Sequence, residues 1–180
     1  MSAAVARDAG GETHWTLLSR GDRVHGRTWK PARRGRHPVV ILCTGDGVGS
    51  GELVERARAA WSARAALATF DLALCGSRRS DKLSALALDP SQPLASRLRA
   101  DLETQTSADL EQVVALLRAD PDLDPARVSL VAVGLGARLA RAFAAGAHGL
   151  AAVELAPSDA PPSDDWMSAI GLRVAHQGAP

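Results

Sequence analysis

Hydrophobic and polar positions divide the first part of the chain into a hairpin followed by a core strand. Trp15–Leu18 and Arg23–Trp29 have the composition of short strands, and they flank the turn Ser19-Arg20-Gly21-Asp22. The next run, Val39–Cys43, is apolar without interruption, as in a strand that is covered on both faces of a parallel sheet. The pattern therefore predicts an opening hairpin that leads into a buried parallel sheet.

Helical spacing and apolar runs then alternate along the rest of the chain. Helices are predicted at about Glu52–Ala68, Arg99–Ala119, Ala137–Ala145 and Asp165–Ala169. Strands are predicted at about Leu67–Leu74, Val128–Val133, Leu150–Leu155 and Leu172–His176. The serines and prolines of Ser77–Leu98 predict an irregular excursion over the carboxyl edge of the sheet. This alternation predicts an α/β fold, a doubly wound and mostly parallel sheet with helices on both faces.

The chain has the length of one globular domain. Its 180 residues are enough to bury about two-thirds of the surface that the unfolded chain exposes. Residues 1–12 are small and polar and include the glycine pair at positions 10 and 11, which predicts a flexible N-terminal tail. Residues 13–180 are predicted to form a single domain, because the sequence shows neither an internal repeat nor a second hydrophobic unit.

The charge balance argues against several classes of partner. The chain has 21 basic and 20 acidic residues, so it offers no strong field for nucleic acid or for an anionic membrane surface. The longest apolar runs, such as Ala142–Ala147, are far too short to cross a bilayer, and residues 1–10 lack the core of a signal peptide. The composition, rich in arginine and poor in lysine, is typical of a GC-rich bacterial gene. We expect a cytoplasmic protein that binds neither nucleic acid nor membrane.

The two cysteines do not form a recognisable site. Neither Cys43 nor Cys75 belongs to a Cys-x-x-Cys pair or to a cluster of Cys and His residues, so we expect buried, reduced thiols. The sequence indicates no metal site and no cofactor. Because each cysteine ends a predicted core strand, a reactive thiol at the sheet edge stays open as an alternative.

Chemistry in an open parallel sheet collects at the carboxyl ends of its strands. Three loops occupy that position here, namely Thr44–Gly51, Cys75–Arg79 and Val133–Ala137. The glycine-rich first loop and the Gly134-Leu135-Gly136 run in the third are the features with the clearest chemical interpretation.

From about Thr13 onward, these loops and the segments between them resemble the α/β-hydrolase family. Thr44-Gly45-Asp46-Gly47 falls where that family has a loop that donates a backbone N–H to an oxyanion. Phe70-Asp71-Leu72 with Cys75-Gly76-Ser77 is similar to its Asp-x-x-Gly-x-x-Ser loop. The run Asp120–Val128 is the most specific part, since it resembles the Asp-Pro turn and nucleophile strand of dienelactone-hydrolase-like and esterase-like members. The resemblance implies the α/β-hydrolase fold and, as the activity to look for, hydrolysis of carboxylic esters.

The same resemblance implies that the nucleophile is absent. The family's Gly-x-Ser-x-Gly elbow aligns with Ala132–Gly136, so Gly134 occupies the nucleophile position without a side chain. Glycine adopts the strained backbone of such an elbow at little cost. An oxyanion pocket depends on the main chain, so binding of a carbonyl or an anion can survive the loss of catalysis. The candidate residues for this binding are Thr44, Gly45, Asp46 and Leu135.

The last segment resembles the strand that leads to the family's catalytic acid. Leu172–Gly178 matches that strand, and the sequence reaches Pro180 where the acid is expected, before the strand and loop that carry the catalytic histidine. His176 lies within the strand and is not expected to be the base. We therefore expect a sheet of the α/β-hydrolase type without its last strand and helices. Its open edge at Leu172–His176 would allow two copies to pair as a homodimer.

These observations predict a catalytically inactive scaffold that binds a small molecule or a protein, and two other functions stay open. An active esterase-like or dienelactone-hydrolase-like enzyme would need unconventional catalytic groups or groups from a partner chain. A nucleotide-binding domain would use the loop Gly45–Gly51, with Asp71 as the acid that binds ribose. That loop lacks the third glycine of the dinucleotide fingerprint and the lysine of a P-loop.

Overall fold

The computed structural model describes residues 3–7, 11–45, 50–88, 91, 93–146, 148–156, 163 and 165–170. Within these residues, seven strands form one sheet in the order β1-β2-β3-β5-β4-β6-β7. The strands are β1 (Ala3–Arg7), β2 (Glu12–Ser19), β3 (Asp22–Trp29), β4 (His37–Cys43), β5 (Ala66–Phe70), β6 (Leu123–Val133) and β7 (Ala152–Ala156). The helices are α1 (Ser50–Trp61), α2 (Asp81–Leu88), α3 (Ala95–Arg118), α4 (Leu135–Leu139), α5 (Arg141–Ala144) and α6 (165–170).

The sheet has an antiparallel half and a parallel half. Strands β1, β2, β3 and β5 pair antiparallel in that order. Strands β5, β4, β6 and β7 pair parallel. Because parallel strands end at the same edge, the loops after β4, β5 and β6 meet there, as the sequence predicts.

The N-terminal segment differs from the predicted flexible tail. Ala3–Arg7 is strand β1, which runs beside β2 with Ala3 opposite Leu17 and Arg7 opposite Thr13. The sequence of this segment, rich in small residues, favours fraying. However, the hydrogen bonds between strands come from the backbone, and the outer N–H and C=O groups of β2 are available to pair with this segment. Within the predicted tail over residues 1–12, these five residues form a strand.

Several other predicted elements change in extent, and two of them show the physical reasons most clearly. The helix predicted at Glu52–Ala68 ends at Trp61, because the chain is already extended beside β4 from Ala66. The region Ser77–Leu98, predicted as irregular, contains α2 and the first turn of α3, since alanine and leucine favour a helix there and the prolines fall between the two helices. The predicted strand Leu172–His176, with the edge at which we expect two copies to pair, lies outside the described residues.

Apolar layers cover both faces of the sheet. On one face, Ile41 of β4 belongs to a cluster that includes side chains of α3, α4 and α5. On the other face, Leu42 packs with α1 and α6, where Trp61 Nε1 donates to the carbonyl of Met167 at 2.8 Å. Every residue of β4 is buried, as expected for a strand covered on both sides. The α/β class with helices on both faces is confirmed.

A buried ion-pair cluster fixes the loop after β5. Arg78 donates to Asp109 of α3 at 2.6 Å and, through another nitrogen, to Asp22 in the hairpin turn at 2.6 Å. Asp109 is fully buried and also accepts a hydrogen bond from Gln105. Burial disfavours the charge of Arg78, but the hydrogen bonds and charges of Asp109 and Asp22 outweigh this and raise the pKa of Arg78. The cluster thus joins the hairpin, the loop and α3 at the edge where the candidate site lies.

Candidate functional site

A sharp strand-to-helix turn follows β6 at the position that the sequence aligns with a nucleophile. Gly134 has φ 57° and ψ −122°, and α4 begins at the next residue, Leu135. The N–H of Gly134 donates to the carbonyl of Ala156 at 2.8 Å, which ties the turn to β7. A positive φ of this kind is strained for a residue that carries a Cβ. The turn has the geometry of an elbow, and the residue at its apex has no side chain.

Two further glycines bring the loop after β4 into contact with this turn. A Cβ on Gly136 would lie 2.2 Å from the carbonyl oxygen of Cys43 and 3.0 Å from the backbone nitrogen of Thr44. A Cβ on Gly45 would lie 2.6 Å from the Cβ of Leu135. Larger residues would therefore force the backbone apart at both positions.

Three of the four candidate binding residues thus come together at one junction. Thr44 and Gly45 lie against the turn that contains Leu135, and all three are half-buried. Among the described residues, no backbone carbonyl accepts the N–H of Leu135, as is usual for the first residue of a helix. Asp46, the fourth candidate, lies outside the described residues.

The loop after β5 is held by its own acid. Ser77 donates to the Asp71 carboxylate from its N–H at 2.9 Å and from its Oγ at 2.6 Å. Gly76 has φ 54°, and a Cβ there would lie 2.2 Å from Asp71 Oδ1. The Asp71 carboxylate therefore accepts hydrogen bonds within its own loop, whereas an acid that binds ribose would accept them from the ribose hydroxyls.

Two cavities open at this edge of the sheet. The first, of about 540 Å³, lies between the hairpin, α1 and the loops, and its wall includes Thr44, Gly45 and Asp71. The second, of about 470 Å³, lies between α2, α3 and α4, and its wall includes Leu135. Cys75 contributes to both walls. Each volume is within the range of small-molecule pockets.

The wall of the first cavity contains two histidines that the sequence motifs do not single out. Across the hairpin, His14 lies opposite Arg27 and His25 lies opposite Thr16, so the four side chains share one face of the sheet. The ring nitrogen Nδ1 of His25 is 2.9 Å from the hydroxyl of Thr16. The sequence could have predicted this placement, because the turn Ser19–Asp22 sets the register of the hairpin and therefore determines which residues face each other across it.

The two cysteines are free and buried, as predicted. Cys43 is fully inaccessible, and burial, followed by repulsion from Cys75 and Asp109, raises the pKa of its thiol far above the ordinary value. A thiol that stays protonated is a poor nucleophile and a poor metal ligand. This environment disfavours the alternative of a reactive thiol at Cys43.

Neither a metal-binding cluster nor a helix able to span a bilayer occurs in the part of the chain that the structure describes. No group of three His, Cys, Asp or Glu side chains is arranged there to hold a metal ion. No helix there combines the length and the apolar character needed to span a bilayer. His176, which we do not expect to be a catalytic base, lies outside the described residues.

Known proteins resemble this chain in structure only. No protein-family model matches it, and no curated protein matches it. A cold-adapted esterase from an Arctic intertidal metagenomic library aligns with a TM-score of 0.59 and 15% identity, over 85% of this chain and 64% of that one. The acetyl xylan esterase of Paenibacillus sp. R4 aligns with a TM-score of 0.53 and 16% identity, over 79% and 48%. The 2,6-dihydroxy-pseudo-oxynicotine hydrolase aligns with a TM-score of 0.52 and 19% identity, over 76% and 34%.

These likenesses show the fold of the chain. The aligned structures are named as esterases and as a hydrolase, and their likeness to this chain confirms the α/β fold expected from the sequence. The chain spans less than two-thirds of the length of each.

Proposed function

We propose that this chain is an α/β-hydrolase-like scaffold that binds a small molecule and does not hydrolyse esters through an acyl-enzyme. The single observation that carries the proposal is Gly134, which has the backbone of a nucleophile elbow and no side chain to attack a carbonyl. Loss of the nucleophile alone removes the first covalent step, whatever acid or base is available nearby.

The binding part of the proposal rests on the main chain around this turn. The N–H of Leu135 has no backbone acceptor among the described residues, and Gly45 packs directly against Leu135. Backbone N–H groups at such a junction bind a carbonyl oxygen or an anion without the help of a nucleophile. The adjoining cavities supply space for the rest of a ligand.

We also propose a cytoplasmic location for the protein, because its two free, buried thiols suit a reducing compartment.

The competing function is an active esterase-like enzyme with unconventional or partner-supplied groups. The described part of the chain favours it through one feature, the pair His14 and His25 in the wall of the first cavity. His25 contacts the hydroxyl of Thr16 and His14 pairs with the carboxylate of Glu12, and neither of these two contacts involves a serine or cysteine nucleophile. We therefore prefer the binding scaffold.

Hydrolysis of p-nitrophenyl acetate separates the two functions. We expect the purified chain to show no turnover above the buffer rate and no change after treatment with a fluorophosphonate reagent for serine nucleophiles. Gly134→Ser should remain inactive as well, because the new hydroxyl still requires a base at hydrogen-bonding distance. Turnover by the native chain that the reagent abolishes would overturn the proposal.

The homodimer is a separate proposal. In the described part of the sheet, β7 is the last strand on its side, and its side chains Val153 and Leu155 are more than one-third exposed. Pairing of two copies beyond this side would cover apolar surface and satisfy backbone groups. Light scattering at micromolar concentration tests the idea, and a monomeric mass would contradict it.

A further inference from the structure

The second cavity has an apolar wall that belongs to several elements. Its apolar side chains come from the loop after β5, from α2, from α3 and from α4, and they are Ala73, Leu74, Ala87, Leu102, Leu135 and Leu139. Leu139 and Ala87 are buried, whereas Leu74, Leu102 and Leu135 are only half-buried and leave carbon surface facing the space. A pocket with this lining suits the hydrocarbon part of a ligand.

The backbone of this wall is strained at one point. Leu74 has φ 61°, a conformation that a leucine rarely adopts. The Ser84 hydroxyl of α2 donates to the carbonyl of Leu74 at 3.0 Å and helps to hold this conformation. Strain of this kind persists where the surrounding structure maintains it, and it concentrates at ligand sites. The strained backbone of Leu74 therefore lies in the same wall of the second cavity as the apolar side chains.

Arginines surround the cavity. Four of them, Arg79, Arg99, Arg138 and Arg141, line it together with one carboxylate, that of Glu103. Arg79 donates a hydrogen bond to Asp81 at 2.8 Å, and the Nε of Arg99 donates one to the carbonyl of Ala95 at 3.2 Å. Arg141 is exposed at the start of α5, and its guanidinium forms no hydrogen bond or ion pair with a described residue. The rim thus has a positive excess although the whole chain is nearly neutral.

The chemistry of this rim selects the charged part of a ligand. The planar fork of a guanidinium matches a carboxylate through two parallel N–H···O bonds. An ammonium group would be repelled by the positive excess of the rim, and an alcohol would supply no negative charge to Arg99 and Arg141. A ligand that suits both wall and rim has a hydrocarbon chain ending in a carboxylate.

We infer that the cavity between α2, α3 and α4 binds an alkanoate, with the carboxylate at Arg99 and Arg141 and the alkyl chain along Leu74, Leu102 and Leu139. The inference rests on the proposed function in one respect, namely that the chain binds a small molecule at this edge without hydrolysing it. It adds the class of ligand and the cavity that receives it.

Calorimetric titration with sodium octanoate tests the inference. We expect octanoate to bind, and to bind more tightly than acetate, which lacks the alkyl chain, and than octanol or octylamine, which lack the negative charge. Arg99→Gln and Arg141→Gln should each weaken octanoate binding by about tenfold or more, the size expected when a hydrogen bond to a charged group is lost. Arg97→Gln is the matched control, since Arg97 is an exposed arginine of α3 outside the cavity wall.

Any one of four results would overturn the inference. Three of them are an absence of octanoate binding, binding of octanol as tight as that of octanoate, and equal losses in Arg97→Gln and Arg99→Gln. Preference for octyl phosphate over octanoate would also count against it, because the site would then recognise a phosphate ester. Ester turnover by the native chain would instead refute the proposed function and leave the measured octanoate affinity unaffected, so the two failures are distinguishable.

Discussion

Replacement of Gly134 by alanine tests the geometry on which the functional argument depends. The substitution adds one methyl group at a residue with φ 57° and ψ −122°. An L-residue in such a sparsely populated region costs about 1–3 kcal/mol. Alanine also restricts the unfolded chain, and this offsets about 0.4–1 kcal/mol of that cost. The net expectation is a destabilisation of about 1–2 kcal/mol.

Urea unfolding followed by circular dichroism measures this difference. For a chain of this length, the expected loss lowers the melting temperature by about 2–8 °C. Gly51→Ala is the control, because a Cβ at this position in α1 meets no atom within 4 Å and its φ is not positive. It should leave stability unchanged or raise it by up to about 1 kcal/mol. If Gly134→Ala were as stable as the native chain, the turn would not have the elbow conformation in solution, and the assignment of a nucleophile position would fail.

Two other predictions concern buried groups near the site. Arg78→Met leaves the fully buried Asp109 carboxylate without its cation and should cost about 3–5 kcal/mol in urea unfolding, whereas Arg79→Met, which breaks an exposed ion pair, should cost at most about 1 kcal/mol. Equal losses would show that the cluster is not desolvated. The second prediction uses a Cys75→Ala variant, in which Cys43 is the single thiol. At pH 8, iodoacetamide should alkylate Cys43 far more slowly in the folded variant than in denaturant, because burial raises the pKa of the thiol and blocks access to it. Comparable alkylation rates in the two conditions would refute this prediction.

The local hydrophobic pattern was sufficient to predict the elements that keep one pattern of burial along their whole length. The uninterrupted apolar run of β4 can only be buried on both faces, and the helical periodicity of α3 and the run Val128–Val133 of β6 are visible in the same way. The short segments were less predictable. Ala3–Arg7 has no apolar period, and it becomes a strand because β2 offers backbone partners.

The sequence by itself determined the α/β class, the loops that meet at the carboxyl edge and the glycine at the elbow, because these follow from periodicity and from the order of residues along the chain. The tertiary structure alone decided which distant side chains meet. The Arg78–Asp109 pair, the cavity wall that includes both Arg99 and Arg141, and the raised pKa of the Cys43 thiol depend on packing between separate elements. No local pattern encodes such contacts, since they arise only when sheet order and helix placement bring residues far apart in the chain within a few ångströms of each other.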